Sequence, residues 1–573
     1  MTSSFPALRA GLALALLAGA AVAAPADAGR PQCVIGAPPV AVPGRRVAVA
    51  SARGGGFALT TAPHSGALRV LVILAEYSDL PHHIAAARYA SHLFGSGTTI
   101  TSYYDELSGG RLTVTGDVHG WFTLPQTEHY YSNGEQGVTA YPHNGQKLAE
   151  DAVAAAIAGG VNLADYDADG DHVVDALLVI HSGEGYEWAG NPGLSPLPDP
   201  DSINSHKWVV TNGDFGSGLP RVEDYFTGPE LQRAVPFFHS WSDSIATIGV
   251  LCHELGHVLG LPDFYDTQLG TSRIGPWEIM DAGVWNWVES DPAVSLPGAL
   301  PGHFSAWSRM FLGWASPVIV APPVGDIAEQ ALAVPSASTG GSPLQLLDNP
   351  GGVDWTSSAP GGGEYFLAEV RARAGFDAGL PGEGLLVFHV DEGRSGNVAS
   401  AYADGAGLLL LVPQDGSLLP QNERDDPWPG IGHTTFDEDS DPSSALNDGS
   451  PSGVALSAIH PLSAGSVALT ATVVNLRTEV PIPFARPNPY RPSTDGEVSL
   501  VLNLAGVAAP VTVTITDLLG RRVRTLDASS FSSPGRIARW NGRADDGTKL
   551  PAGVYFFRAR GGASGAGRVL LLR

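Results

Sequence analysis

Two histidines four residues apart, His253 and His257, with Glu254 beside the first, form the stretch of this 573-residue chain whose types and spacing most directly define a chemistry. In a helix, positions i and i+4 lie one above the other, so both imidazoles can reach a single ion. Glu254 is rotated from them by one position. That offset sets a carboxylate beside the metal rather than on it, where it can take a proton from a bound water. Gly260 fits a left-handed helix stop, and the sharp turn it allows lets Asp263 come back toward the ion as a third ligand. A catalytic zinc takes three protein ligands and keeps one position for water, and residues 249–266, "GVLCHELGHVLGLPDFYD", supply that number.

A second group of oxygen ligands lies in "DYDADGDHVVD", residues 165–175. Carboxylates on alternate residues with a glycine in the turn are how calcium loops are built, and clustered carboxylates repel one another unless an ion compensates them. In one register Asp167, Asp169, Asp171 and Asp175 are the ligands. A second register begins at Asp165 and is closer to an EF-hand, without its terminal Glu.

These groups must be held by folded elements. Residues 1–23 contain Arg9, the apolar run "AGLALALLAGAAVA" and a small-residue "AVA", the pattern of a secretory signal peptide. Residues 24–64 are rich in Ala, Pro, Gly and Arg without periodicity and read as a propeptide or flexible lead-in. Buried strands are predicted over 68–80 and 110–124, helices over "AARYASHLFG", "TSYYDELSG" and "NGQKLAEDAVAAAIAGG", and a further strand over "VVDALLVIHSG". This alternation is an α/β pattern. From about residue 317 short strands such as "EYFLAEVRA", "GEGLLVFHVDE" and "SVALTATVVN" dominate. After the proline-dense segment 477–492, Val511, Val513 and Ile515 alternate with Thr512, Thr514 and Thr516, as in a strand of a small antiparallel sandwich.

The composition narrows the function classes. With 58 acidic and 32 basic residues the formal charge is −26, which disfavours binding nucleic acid or anionic membranes through a basic face. No segment after the signal is apolar for long enough to form a transmembrane helix. Only Cys33 and Cys252 are present, so no disulfide framework holds the fold. Cys33 has three readings: a thiolate capping the zinc from the propeptide, a partner of Cys252, or a free thiol lost with the propeptide.

The stretch "HELGHVLGLPDFYD" resembles the zinc signature of the immune inhibitor A family of secreted bacterial metallopeptidases, relatives of the metzincins in which the third ligand is Asp. Similar segments are "YYDELSGGRLTVTGDVHGWFTLP" at 103–125, "YDADGDHVVDALLVIHSGEG" at 166–185, "SHKW" at 205–208, "HFSAWSRMFLGW" at 303–314 and "GEYFLAEVRARAGFDAGLPGEGLLVFHVDE" at 363–392. The family's aspartate run has a glycine where His172 stands. The resemblance implies a methionine turn beneath the zinc, with Met280 of "PWEIMDAGVW" in that place, seventeen residues after Asp263. Some metzincins carry a tyrosine two residues after that methionine. Here the position is Ala282, which leaves the oxyanion or substrate-binding helper to another residue, with His206 and Tyr265 as candidates. Segments around 485–573, such as "VTITDLLGRRVRTL" and "LPAGVYFFRAR", resemble the immunoglobulin-like C-terminal domains related to flagellar hook-capping proteins and type IX secretion sorting domains. That resemblance implies a role in export or surface attachment.

The expected architecture is therefore an α/β metzincin-like zinc peptidase domain over 65–316, a β-rich accessory domain over 317–476 and a C-terminal immunoglobulin-like β-sandwich over 485–573. The expected activity is that of a secreted zinc endopeptidase, extracellular or at the cell surface. It would cleave protein or peptide substrates with zinc-activated water and Glu254 as base, with calcium as a structural ion. Secretion machinery or a cell-surface attachment would be a further partner, through the C-terminal domain. The competing readings are a surface or adhesion protein that keeps the fold without catalysis, and a metal-dependent hydrolase acting on a non-peptide bond.

Overall fold

The structure, a computed structural model, describes residues 62–573 apart from 190–198, 233–243, 289, 324–325, 350–352, 354–362, 395, 402–403, 418–419, 431–432, 476–483, 487, 496, 502–511, 527–530, 533–536, 561–564 and 573. The signal segment, nearly all of the lead-in and Cys33 fall outside the described residues, as does Val511.

The first apolar run forms β1 (Gly66–Glu76), and β2 (Leu112–Thr123), β3 (Leu177–Glu184), β4 (His206–Val209), β5 (Asp224–Gln232) and β6 (Ser244–Ile245) complete one sheet. The order is β2-β1-β3-β5-β4, with β6 beside β5. β1 pairs in parallel with β2 and β3, β3 pairs in parallel with β5, and β4 closes the edge antiparallel to β5. Parallel neighbours need crossovers, and these are helical. Ile100–Ser108 lies between β1 and β2, and Gly145–Ala158 between β2 and β3. Thr99 caps the first with a reciprocal Ser102 bond, and the Asn144 side chain caps the second at the Lys147 N–H.

Side chains of β1 alternate between two cores. Leu68, Val70, Val72 and Leu74 face one apolar cluster, while Leu71, Ile73 and Ala75 face another with Leu148, Ala152 and Val153 of the second crossover helix. The helix carrying the histidines, Ile248–Val258, sits on the first face and contributes Leu251, Cys252, Leu255 and Val258 to it.

That first cluster does not stop near residue 317. It continues through Phe366, Leu367, Val387 and Phe388, which belong to a five-stranded sheet ordered Leu409–Leu411, Gly384–Asp391, Glu364–Arg371, Leu344–Leu346 and Val318–Val320. It extends to Val467 and Val473 of Ser466–Val474, which lies in a three-stranded sheet with Ile327–Pro335 and Val454–Ser457. Buried charge accompanies the apolar contact. Arg371, fully buried, donates from Nε and Nη2 to Asp377 at 2.6 and 2.5 Å and from Nη1 to the Trp277 carbonyl at 2.6 Å. Arg309 donates to Glu369 at 2.5 Å.

Beyond residue 484 two four-stranded sheets enclose a separate cluster of Tyr490, Val498, Leu500, Val513, Ile515, Trp540, Phe557 and Val569. Val513 and Ile515 point into it, and Thr512, Thr514 and Thr516 stay partly exposed, as the alternation predicted.

Removing one member of a buried ion pair leaves the other charge uncompensated and costs about 3–5 kcal/mol. Arg371→Ala is therefore expected to lower the unfolding free energy of this region by that amount, read from urea titrations followed by tryptophan fluorescence. Arg373→Ala, on an exposed neighbour, is expected to leave it within about 0.5 kcal/mol.

Candidate metal centre

The histidine helix begins after Thr247, whose extended backbone precedes the first turn and whose hydroxyl lies 2.8 Å from Gln232 Oε1 and 2.7 Å from the Pro297 carbonyl, two acceptors for its one proton. It ends as the sequence predicted. Gly260 has φ +96°, and the Leu261 N–H turns back to the Gly256 carbonyl at 3.0 Å. Pro262 and Asp263 follow this turn, so the carboxylate returns to the face that carries both imidazoles.

His253, His257 and Asp263 come together there, all buried. Asp263 Oδ1 lies 3.2 Å from His253 Nε2 and 3.3 Å from His257 Nε2. Donor atoms ~2.0–2.1 Å from a tetrahedral zinc sit ~3.3 Å from one another. The spacing therefore fits three ligands of such an ion. The other ring nitrogens are committed: His253 Nδ1 to the Ile279 carbonyl and His257 Nδ1 to the Leu261 carbonyl, each at 2.8 Å. Donation from Nδ1 leaves the Nε2 lone pair facing the site, which is how ligating histidines are oriented. Neither Nε2 nor either Asp263 oxygen has a well-formed hydrogen bond elsewhere. Burial pushes the Asp263 carboxyl up and the two histidines beside it work the other way, for a net lowering. Glu254 is buried on the same helix, one residue along from His253 and outside the group of three.

The chain under the helix is equally constrained. Met280 is fully buried, and a Cβ on Gly256 would meet its Sδ at 2.7 Å. Its carbonyl accepts from Phe264 N–H at 2.8 Å, which ties the segment around Met280 to the residue after Asp263. Glu278 accepts from Met280 N–H at 3.2 Å, Ser305 N–H at 2.6 Å and Ser308 Oγ at 3.0 Å. Burial raises its pKa against those bonds. Asp281 accepts from Ser272 Oγ and the N–H groups of Arg273, Ile274 and Ala282 at 2.7–2.8 Å. From above, Tyr104 Oη donates to the Cys252 carbonyl at 2.6 Å, bracing the turn that presents His253.

Of the other residues singled out from the sequence, His206 is fully buried in β4, with Nδ1 at the Asn204 carbonyl and Nε2 at Tyr225 Oη, both 2.7 Å. It is not among the three convergent ligands, and both its nitrogens serve the sheet. Tyr265 is half-buried in the loop after Asp263. Asp167, Asp169 and Asp171 bring carboxylate oxygens within 4.8 Å of one another. Asp175 instead accepts from the Ala168 N–H at 2.9 Å, and burial with the nearby aspartates pushes it up to about 6. Cys252 is a buried thiol, its pKa raised by burial. Glu278, Asp281 and Tyr104 were not found from the sequence: Tyr104 and Glu278 reach segments distant along the chain, and Asp281 gathers N–H groups of an irregular loop that carries no periodic signal.

With that geometry the comparison with known proteins is specific. Residues 87–315 match the family described as immune inhibitor A peptidase M6, catalytic domain, and residues 489–565 match the FlgD Ig-like domain. The chain carries a peptidase M6 domain. Immune inhibitor A of Bacillus thuringiensis subsp. alesti is 30% identical over 286 residues, 42% of this chain and 39% of that protein. Pre-pro-metalloprotease PrtV of Vibrio cholerae serotype O1 (strain M66-2) is 30% identical over 231 residues, 37% of this chain and 23% of that protein. The chain thus spans well under half the length of these relatives. A solved structure of PorZ from Porphyromonas gingivalis is 22% identical over 21% of this chain and 15% of its own, with a TM-score of 0.13, too low to bear on the fold. All three convergent ligands lie inside the M6 match, whereas β1 and the five-stranded sheet lie outside it.

Two predictions follow from the packing and charge around the M6 site. Gly256→Ala forces a methyl against Met280, and overpacking of this kind costs about 1–3 kcal/mol. It should lower the melting temperature, whereas Gly313→Ala, where nothing lies within 4 Å, loses stability only through its positive φ. Burial also holds His206 and His181 at about 4, against backbone acceptors that work the other way. Unfolding frees each to the ordinary value of about 6.5, so the unfolded chain binds more protons between these values. Stability is full above pH 6.5 and falls toward pH 4 by up to about 1.4 kcal/mol per pH unit for each histidine. Urea midpoints across that range should show a shallower fall in His206→Gln.

Proposed function

We propose that the chain is a secreted zinc endopeptidase hydrolysing protein substrates, with Glu254 as general base. The observation that carries this reading is the approach of His253 Nε2 and His257 Nε2 to Asp263 Oδ1 at 3.2 and 3.3 Å, with both Nδ1 atoms engaged by backbone carbonyls. The M6 match and the names of the metalloprotease relatives support the same class. Zinc held by these three residues supplies a Lewis acid for the scissile carbonyl and lowers the pKa of a water. His253, His257 and Asp263 would hold the ion, and three protein ligands would leave a position for water. Glu254 takes the proton of the attacking water at its carboxylate and delivers it to the amine nitrogen as the peptide bond breaks. No side-chain nucleophile and no covalent intermediate take part.

In this reading the α/β part is metzincin-like, with Met280 as its methionine turn. The segment 1–23 directs export, 24–64 precedes the folded enzyme, 317–476 supports it, and the immunoglobulin-like 485–573 module serves secretion or attachment. No helix among the described residues is long and apolar enough to cross a membrane. Asp167, Asp169 and Asp171 take a structural calcium, with Asp167 Oδ1 among its oxygen ligands. Their close approach is the repulsion such an ion relieves.

The test compares hydrolysis of fluorescent casein by wild type and Glu254→Gln, with zinc content measured on both. Loss of a general base costs about 10²–10⁴-fold in rate, with about one zinc per chain retained in both proteins. Equal activity in the two would remove Glu254 from the chemistry. Zinc in both with hydrolysis in neither would favour the non-catalytic surface protein. Added Ca²⁺ is expected to raise the melting temperature of wild type, and Asp169→Ala to abolish that rise. A rise that persists in the variant would move the calcium elsewhere.

A further inference from the structure

Each of the first two zinc ligands has a backbone acceptor that fixes its ring, and the third ligand has a support of a different origin. Asp263 is followed by Phe264, whose carbonyl accepts from Asn397 Nδ2 at 2.7 Å. Asn397 lies 134 positions beyond Asp263, outside the M6 match, and is 1% exposed. Its amide is saturated, with Nδ2 also donating to the Leu409 carbonyl at 2.6 Å and Oδ1 accepting from the Leu409 N–H at 3.0 Å. Leu409 opens a strand of the five-stranded sheet, so the amide is anchored to a rigid element. Gly407 allows this approach, since a Cβ there would meet Asn397 Oδ1 at 2.5 Å.

A second bond from the same segment acts two residues further on. The Ala399 N–H donates to Asp266 Oδ2 at 2.9 Å, while Asp266 Oδ1 accepts from the Gln268 and Leu269 N–H groups at 3.0 and 3.1 Å. Arg273 Nη2 donates to the Gly405 carbonyl at 2.6 Å, joining the far end of the loop to the same region. The Phe264 N–H meanwhile is held by Met280. The backbone just after Asp263 is thus clamped from both sides, by Met280 and by residues 397–399.

The geometry points to Asn397 as the positioning residue for the third metal ligand: through the Phe264 carbonyl, the β-rich region sets the place of Asp263 and so the affinity and geometry of the metal centre. This rests on the zinc reading above, and it adds that residues 65–316 do not hold the centre in its working geometry alone. Groups behind first ligands typically change metal affinity 10–100-fold when removed. Asn397→Ala leaves the Phe264 carbonyl buried without its donor and frees the loop that carries Asp263.

The experiment uses the full chain. Zinc affinity is measured by competition with a chromophoric chelator, and the visible absorption of the Co²⁺-substituted protein reports ligand geometry independently of activity. Asn397→Ala is expected to weaken zinc about 10–100-fold and to alter the Co²⁺ bands. Ala399→Pro removes the N–H that reaches Asp266, at the first position of a short 3-10 helix, where proline is tolerated. It should weaken zinc by a smaller factor. Ser444→Ala removes a buried hydroxyl bond to the Val454 carbonyl in the same region, away from the loop, and controls for general destabilisation. Its zinc affinity should equal wild type. Unchanged affinity and unchanged Co²⁺ bands in both Asn397→Ala and Ala399→Pro would overturn the inference while leaving the zinc reading intact. Equal weakening in Ser444→Ala would reduce Asn397 to a merely structural residue. A wild type that binds no zinc would overturn both.

Discussion

Two imidazole nitrogens and a carboxylate oxygen held 3.2–3.3 Å apart in a buried place are the constraint on which the rest of this structure depends. With each Nδ1 donating to a carbonyl, the inward Nε2 atoms present lone pairs, as does the carboxylate. Buried acceptors facing one another are costly unless a cation sits among them. Such a centre persists only if the surrounding chain over-determines it. The Gly260 turn shapes the segment that carries Asp263, the Met280 carbonyl holds the Phe264 N–H, the Tyr104 hydroxyl braces the histidine helix, and the Glu278 and Asp281 carboxylates fix the chain around Met280.

The need for that support explains why the apolar core does not divide at the end of the α/β sheet. A helix buried on most sides requires partners on most sides. The parallel sheet covers one face of the histidine helix, and Met280 lies against another at Gly256. Behind Met280 stand Trp277, Trp307 and the five-stranded sheet, with Arg371 holding the Trp277 carbonyl one residue before Glu278. The β-rich region is thus continuous in packing with the site. The C-terminal sheets have their own cluster instead.

How much of this was legible in the sequence depended on distance along the chain. His253, His257, Gly260 and Asp263 lie within eleven residues, so helix periodicity and one turn sufficed to bring them together. The strands and crossover helices of the first 190 residues carried clear periodic patterns and caps, and they appear close to where they were expected. Met280 was found through a family pattern and lies against Gly256. Asn397, Arg371 and Glu278 were not found, because their partners are set by tertiary packing that no local period encodes. His206 drew attention as a polar residue in a recurring motif, but two hydrogen bonds inside the sheet account for both its nitrogens. Asp175 fits the alternation of the aspartate run, yet the backbone turns its carboxylate to the Ala168 N–H.

The most direct test of the account is X-ray absorption at the zinc edge of the zinc-loaded full chain, compared with Asp263→Ala. Two imidazole nitrogens and one carboxylate oxygen at about 2.0–2.2 Å, with a fourth light atom from water and loss of one oxygen in the variant, are what the geometry predicts. A first shell containing sulfur, or one unchanged by Asp263→Ala, would contradict it.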